Sequence, residues 1–336
     1  MIRLRVGYVI TGIITGLLLV LSFFTTIPDG KLHVILCDVG QGDGIYIRFP
    51  DGKDMIVDGG PGNKIIGCLS RHMPFWDRTI DMVLLTHPQK DHLNGLISVL
   101  ERYRIEYFVR SDVHNATDGF EKLKTLVKQK HIAEKFVTAG ETITVGPSIL
   151  SVVWPSKEQI ALMKPSYTSY SSSVSNTGSV LGAATNIDLN DGSVVLSLSY
   201  GTFDALFMGD ADSRVQGKIT SSLRPGLGGI QRPGLAQDGI LELFKVPHHG
   251  SKTGLTDAFL QKISFTRPVL VKQDFSLSQK KPLAVISVGQ NSYGHPSSEI
   301  IQKLESAGFH TLRTDKEGDI EIVSDGTTWS YTSSKN

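Results

Sequence analysis

The hydrophobic pattern changes period several times along the chain. Between residues 6 and 27, "VGYVITGIITGLLLVLSFFTTI", no position is charged, and the run follows Arg3 and Arg5. About 20 uncharged residues are enough for a helix to cross a bilayer, whereas a core helix keeps a polar face. No small-x-small cleavage site stands out in "SFFTTIPDGK", and the run exceeds a usual signal-peptide core. Residues 1–30 therefore read as a retained membrane anchor, with a cleaved signal as the alternative. The arginines place the N-terminus inside and residues 31–336 outside.

Beyond the anchor the period shortens. "LHVIL", "IYIRF" and "DMIVD" are short β-branched runs, and "PDGK" between the last two suits a hairpin turn. "NKIIGCLSRHM" predicts a helix, "DMVLLT" a buried strand, and "LNGLISVLERY" a second helix. Then follow a strand at "IEYFV", a helix near 119–130, and strands around "AEKFV" and "SILSVVWP". The stretch at about 155–191 is Ser/Thr/Gly-rich without period and reads as an insertion. "SVVLSLSYG" and "FDALFMGD" predict a hairpin, and a second irregular stretch, "LRPGLGGIQRPGLAQDG", precedes "ILELFKVPHHGSKTG". "LAVISVG", a helix at about 297–307 and a closing pair, "HTLRT" and "DIEIVS", complete the chain. Strand-rich halves that each carry helices predict an α/β fold of two sheets packed face to face with helices outside.

Composition narrows the function. Apart from Arg3, Arg5 and Asp29 the chain balances 32 basic against 32 acidic residues. That excludes a surface coated to hold nucleic acid non-specifically, and any affinity for DNA must be local. There are two cysteines, Cys37 and Cys68. Cys37 ends an apolar run and reads as a small buried hydrophobe; a bridge, which an oxidising compartment would permit, is the lesser reading.

The polar residues that interrupt this pattern cluster at strand ends. "LLTHPQKDHLNGL" sets His87, Asp91 and His92 on a strand-to-helix turn, and histidine with carboxylate suits Zn, Mn or Fe. "FMGDAD" puts Asp210 after a strand and a glycine; "KVPHHGSKTG" presents Lys245, His248 and His249. Two adjacent imidazoles need partners for both if they are buried. "DVGQGD" gathers Asp38, Gln41 and Asp43 in a Gly-rich loop that reads as support for the cleft, and "NSYGHP" offers Asn291, Tyr293 and His295.

Taken in order, "DVGQGD", "DGG", "THPxxDH", "MGD", "KVPHHGS" and "SVGQNSYGHP" closely resemble the extracellular metallo-β-lactamase-like domain of ComEC-type competence proteins, over residues 32 to 326. The resemblance implies an αβ/βα four-layer sandwich with a one- or two-metal hydrolase site at one edge. It assigns His87 to a first metal, Asp91 and His92 to a second, and Asp210 to a position between them. His248 becomes the last histidine ligand, with His249 beside it as a contact to substrate or ligands. Asp58 orients the ligand loop, and Lys245 is a candidate phosphate contact. Gln89 stands where relatives carry His or Asp, and an amide oxygen is the weaker ligand, so one tightly held Zn or Mn ion and one weak site are expected. The activity implied is an exported metal-dependent phosphodiesterase or nuclease, with DNA as substrate and a competence channel as partner. A hydrolase of a cell-envelope or small-molecule phosphoester, or a weakly catalytic binding module in DNA uptake, are the competing readings.

Overall fold

The computed structural model describes residues 6–24, 28–164, 188–222, 241–264 and 281–335. The centre of the Ser/Thr-rich insertion and the "LRPGLGG" stretch lie outside these residues.

Eight strands form the first sheet: β1 (Leu32–Leu36), β2 (Gly44–Arg48), β3 (Asp54–Gly59), β4 (Thr79–Leu85), β5 (Arg104–Arg110), β6 (Ala133–Phe136), β14 (Ile320–Ser324) and β15 (Trp329–Ser333). Their order is β15-β14-β1-β2-β3-β4-β5-β6. The second sheet takes the intervening strands β7 (Thr142–Val145), β8 (Ser148–Trp154), β9 (Val195–Tyr200), β10 (Phe203–Phe207), β11 (Leu243–Lys245), β12 (Leu283–Ile286) and β13 (His310–Arg313), in the order β13-β12-β11-β10-β9-β8-β7. The helices are α1 (Val6–Phe24), α2 (Lys64–His72), α3 (Lys90–Arg102), α4 (Asp118–Gln129), α5 (Lys157–Met163), α6 (Ser213–Ser222), α7 (Asp257–Ile263), α8 (Ser298–Ser306) and the single turn α9 (Thr314–Glu317).

Three apolar layers follow from strand alternation, because successive side chains point to opposite faces. Leu32, Leu36, Val57 and Leu84 from one sheet meet Leu150, Leu196, Phe207 and Leu243 from the other in a central core. The opposite face of the first sheet, with Ile35, Tyr46, Ile56 and Val83, is covered by Leu69, Leu96, Leu100 and Leu123 on α2, α3 and α4. Phe244, Ala284 and Ile286 on the second sheet are covered by Val215, Phe259, Ile300 and Leu304 on α6, α7 and α8. The result is the predicted helix–sheet–sheet–helix stack. α3 reaches its sheet through paired glycines: a Cβ on Gly95 would fall 1.7 Å from the Gly59 carbonyl oxygen.

Three expectations about the fold change. "HTLRT" and "DIEIVS" do not pair with each other, because β13 joins β12 in the second sheet while β14 joins β1 in the first. Cys37 and Cys68 are joined by a disulfide with a Cα–Cα distance of 5.8 Å, because the extension of β1 turns Cys37 onto the face that α2 covers. At the N-terminus the predicted helix forms as α1, whose Tyr8, Ile13 and Leu18 are exposed. Among the described residues no helix is long and apolar enough to cross a membrane.

Candidate metal centre

The polar clusters gather where strands of both sheets end. Asp58 closes β3, His87 follows β4, Asp91 and His92 open α3, Asp210 follows β10, and His249 follows β11. One ligand atom from each of Asp91, His92, Asp210 and His249 falls within 4.8 Å of the others. His92 Nε2 is 3.4 Å from Asp210 Oδ2, while His249 Nε2 is 3.4 Å from Asp91 Oδ2 and 3.6 Å from Asp210 Oδ2.

The two imidazoles are oriented from behind. His92 Nδ1 donates to Asp58 Oδ2 at 2.7 Å, and Asp58 is itself held by the Thr86 N–H (2.8 Å) and hydroxyl (2.6 Å). His249 Nδ1 donates to the Ser287 carbonyl at 2.9 Å. Each hydrogen bond places the proton on Nδ1 and turns the Nε2 lone pair inward, the arrangement that metal-binding histidines use. His87, His92 and His249 Nε2 and Asp210 Oδ1 are all buried without a hydrogen-bond partner. Buried polar atoms are rarely left so. Two imidazole nitrogens and two carboxylates converging on a common point are a donor set that fits a Zn or Mn ion.

Backbone strain coincides with the centre. Asp58, His248 and His249 all have φ between 51° and 58°, a left-handed conformation that costs a non-glycine residue on the order of 1–3 kcal/mol. Gly209 has φ +51°, and a Cβ there would lie 2.2 Å from Ser193 Oγ, the atom that accepts the Asp210 N–H at 3.0 Å.

Electrostatics follow from packing four carboxylates, Asp43, Asp58, Asp91 and Asp210, with three imidazoles. Burial opposes charge on His249, but Asp210, Asp43 and Asp91 outweigh it and lift the ring to about 9. Burial likewise opposes charge on His92, and Asp210 and Asp58 reverse the effect. His87 goes the other way: burial, then the neighbouring His92 ring 4.2 Å away, push it down to about 3. Burial would raise Asp210, yet His249 and His92 hold it well below the usual carboxylate range.

Several expected residues stand elsewhere. His248 does not reach the four-ligand group; its Nδ1 lies 3.7 Å from Asp212 Oδ2, its side chain is 25% exposed, and its ring is 5.8 Å from that of His295. Consecutive left-handed residues send the two side chains apart, and it is His249 that turns inward. Lys245 is fully buried, bound to the Asp43 carboxylate and to the Gly209 carbonyl at 3.1 Å, so it braces the cleft and is not free to meet a phosphate. Asp38 gives its N–H to Asp319 and takes Lys335 Nζ at 3.1 Å, away from the cluster. The loop's contribution comes from Asp43, 3.4 Å from His249 Nδ1 and 3.9 Å from His92 Nδ1. His87 stands beside the four, its Nδ1 near the Thr86 (3.1 Å) and Ser193 (3.4 Å) hydroxyls, and Gln89 is half-buried among the groups acting on it.

Comparison with known proteins places this geometry. The chain is 21% identical to ComE operon protein 3 of Bacillus subtilis over 93% of its own length and 35% of that protein's. It is 27% identical to exodeoxyribonuclease WalJ of Streptococcus pneumoniae over 35% of this chain and 42% of that one. It thus spans about a third of the first relative and under half of the second. Among solved structures, the metallo-β-lactamase fold protein YhfI from Bacillus subtilis aligns over 88% of this chain and 100% of its own, with a TM-score of 0.48 and 10% identity. The Metallo-beta-lactamase superfamily model matches residues 37–271, a span that holds every residue of the four-ligand cluster, and the chain belongs to that superfamily.

Proposed function

We propose that this protein is a membrane-anchored, metal-dependent phosphodiesterase that cleaves DNA outside the cytoplasm, in or near DNA uptake. The observation that carries the reading is the group Asp91, His92, Asp210 and His249, with His92 and His249 Nε2 buried and lacking a hydrogen-bond partner. These four would hold a divalent ion. When bound, such an ion lowers the pKa of a water toward 7 and stabilises negative charge developing on the ester oxygens.

The chain's own residues supply the rest. Asp91 is the one ligand open to solvent, with 31% of its side chain exposed, so substrate enters on its side and its carboxylate orients the attacking water. His248, with 25% of its side chain exposed, and His295, its ring 5.8 Å away, line the rim and meet the phosphoryl oxygens. Asp43, held by Lys245, keeps His249 in place while bulk water is excluded from behind. The match to a named exodeoxyribonuclease supports DNA as the substrate class, and the similarity to a ComE operon protein supports the uptake setting and a channel partner. The uncharged run over residues 6–27 supports the anchor.

The test is metal analysis of the purified protein together with hydrolysis of single- and double-stranded DNA in Mn²⁺, Zn²⁺ and Mg²⁺. About one tightly held ion per chain and cleavage that stops on chelation are expected. Metal-loaded protein that cleaves small phosphodiesters but no DNA would replace this reading with that of an envelope or small-molecule phosphoesterase.

A further inference from the structure

Phe75 and Trp76 project from the loop between α2 and β4, 71% and 42% exposed, their rings edge to face at 4.5 Å. Beside them lies a cavity of about 230 Å³, floored by Ile66, Leu69 and Met73 and flanked by Arg78, Arg102 and Tyr103. The Arg78 guanidinium lies 5.9 Å from the Tyr103 ring centroid and donates to the Asp77 carbonyl at 2.7 Å. The intervening Asp77 carboxylate is taken by the Thr79 N–H at 2.9 Å. An apolar floor with guanidinium groups at its mouth fits an amphipathic phosphate.

The position of this patch in the fold identifies what covers it. β2 is antiparallel to both β1 and β3, while β3, β4 and β5 are mutually parallel. β1, β3, β4 and β5 therefore all start at one end of the sheet. Asp58 and His87 stand at the finishing end, and the Phe75–Trp76 loop precedes β4 at the starting end. The chain from α1 reaches that same starting end: a Cβ on Gly52, in the β2–β3 turn, would lie 2.6 Å from Pro28 Cγ. Phe24 is four Cα steps from Pro28, a reach of at most about 15 Å. β4 lies three strand spacings from β1, roughly 14 Å. The end of the apolar helix and the aromatic–arginine patch thus share one pole of the domain, opposite the metal centre.

We propose that this pole rests on the bilayer that α1 enters, with Phe75 and Trp76 seated among the headgroups and the Arg78–Arg102 cavity holding a phospholipid phosphate. Tryptophan and arginine at the interface depth are the usual anchors of such contacts. The inference rests on the membrane-anchor reading of α1 and extends it: the metal centre faces away from the bilayer, so substrate arrives from the aqueous side.

The full chain, reconstituted in phosphatidylcholine–phosphatidylglycerol vesicles, tests both statements separately. Flotation with the vesicles reads insertion of α1. Fluorescence quenching by lipids brominated near the headgroup reads the pole, and the difference between the parent and Trp76→Phe isolates Trp76 from Trp154 and Trp329. The protein should float, the parent should be quenched, and Trp76→Phe should lose that quenching; Arg78→Ala combined with Arg102→Ala should weaken it while flotation persists. A floating protein quenched equally in parent and Trp76→Phe overturns the seated pole and leaves the anchor standing. Failure to float overturns both.

Discussion

With Nδ1–H given to the Ser287 carbonyl, His249 has one nitrogen left, and it faces Asp91 and Asp210. His248, its neighbour in sequence, looks toward Asp212 and the rim. His249→Ala should therefore strip the protein of its ion, as Asp91→Ala should, whereas His248→Ala should keep the metal. Inductively coupled plasma analysis of the three variants decides it, and a His248→Ala protein as metal-poor as His249→Ala would reverse the assignment. Removing the group behind a ligand costs less: Asp58→Asn should weaken metal affinity by about 10–100-fold, measured by competition with a chelating dye. Gln89→Asp adds a carboxylate near His87, whose own Nε2 is unpartnered, and should raise metal content from one ion toward two. Unchanged stoichiometry in a folded Gln89→Asp protein counts against a second site. Asp91, His92 and Asp210, which the structure brings into one group with His87 beside it, could be singled out because clustered polar residues after apolar strands have few structural excuses. The choice between His248 and His249 was not, since it depends on two consecutive left-handed φ values that no spacing announces. Lys245 misled for a related reason: a strand of three residues gives too little alternation to show which face its last side chain takes.

At the scale of elements, the β2–β3 hairpin holds a buried acid. Asp54 accepts the Tyr46 hydroxyl at 2.7 Å, and burial, helped by Asp77 and Asp81, raises its carboxyl from 3.8 to about 7. The folded state thus binds a proton that the unfolded chain has released between those values. Its stabilising contribution is full below pH 4 and is lost as pH rises through 7, with a slope of up to about 1.4 kcal/mol per pH unit. Urea unfolding from pH 4.5 to 7.5 should show this decline, and Asp54→Asn should flatten it. Equal slopes in parent and variant would show that another group titrates. Most elements were legible because their period was clean: the helix expected near 119–130 is Asp118–Gln129, and the hairpin at "SVVLSLSYG" and "FDALFMGD" is β9–β10. β7 and β15 escaped notice. Both are edge strands of four or five residues, mostly exposed or half-exposed, so each offers only a short alternation, "TITV" and "WSYTS", between turns.

For the molecule as a whole, the disulfide closes a loop of 31 residues between the first strand and the first helix of the sandwich. On a chain-entropy argument its loss should cost roughly 3–4 kcal/mol. Guanidinium unfolding of Cys68→Ser against parent should show a shift of that order, and one under about 1 kcal/mol would mean that the unfolded chain is little constrained by the link. The pairing was not legible from spacing alone, because nothing in the sequence shows that the end of β1 and the helix α2 share a face. The same sheet carries a consequence for biogenesis. β1 pairs on one side with β2, made almost at once, and on the other with β14, made nearly 290 residues later. Asp319, at the entrance to β14, also holds the Asp38 N–H and the Arg71 and His72 side chains. Every residue of the four-residue cluster has been synthesised by residue 249, yet the sheet beneath them keeps an open edge until the last strands arrive. A chain emerging N-terminus first would have to remain a client of holding chaperones almost to the end of synthesis, with ligands complete and the scaffold unfinished, and release cut short before residue 320 should yield aggregates in place of a smaller enzyme.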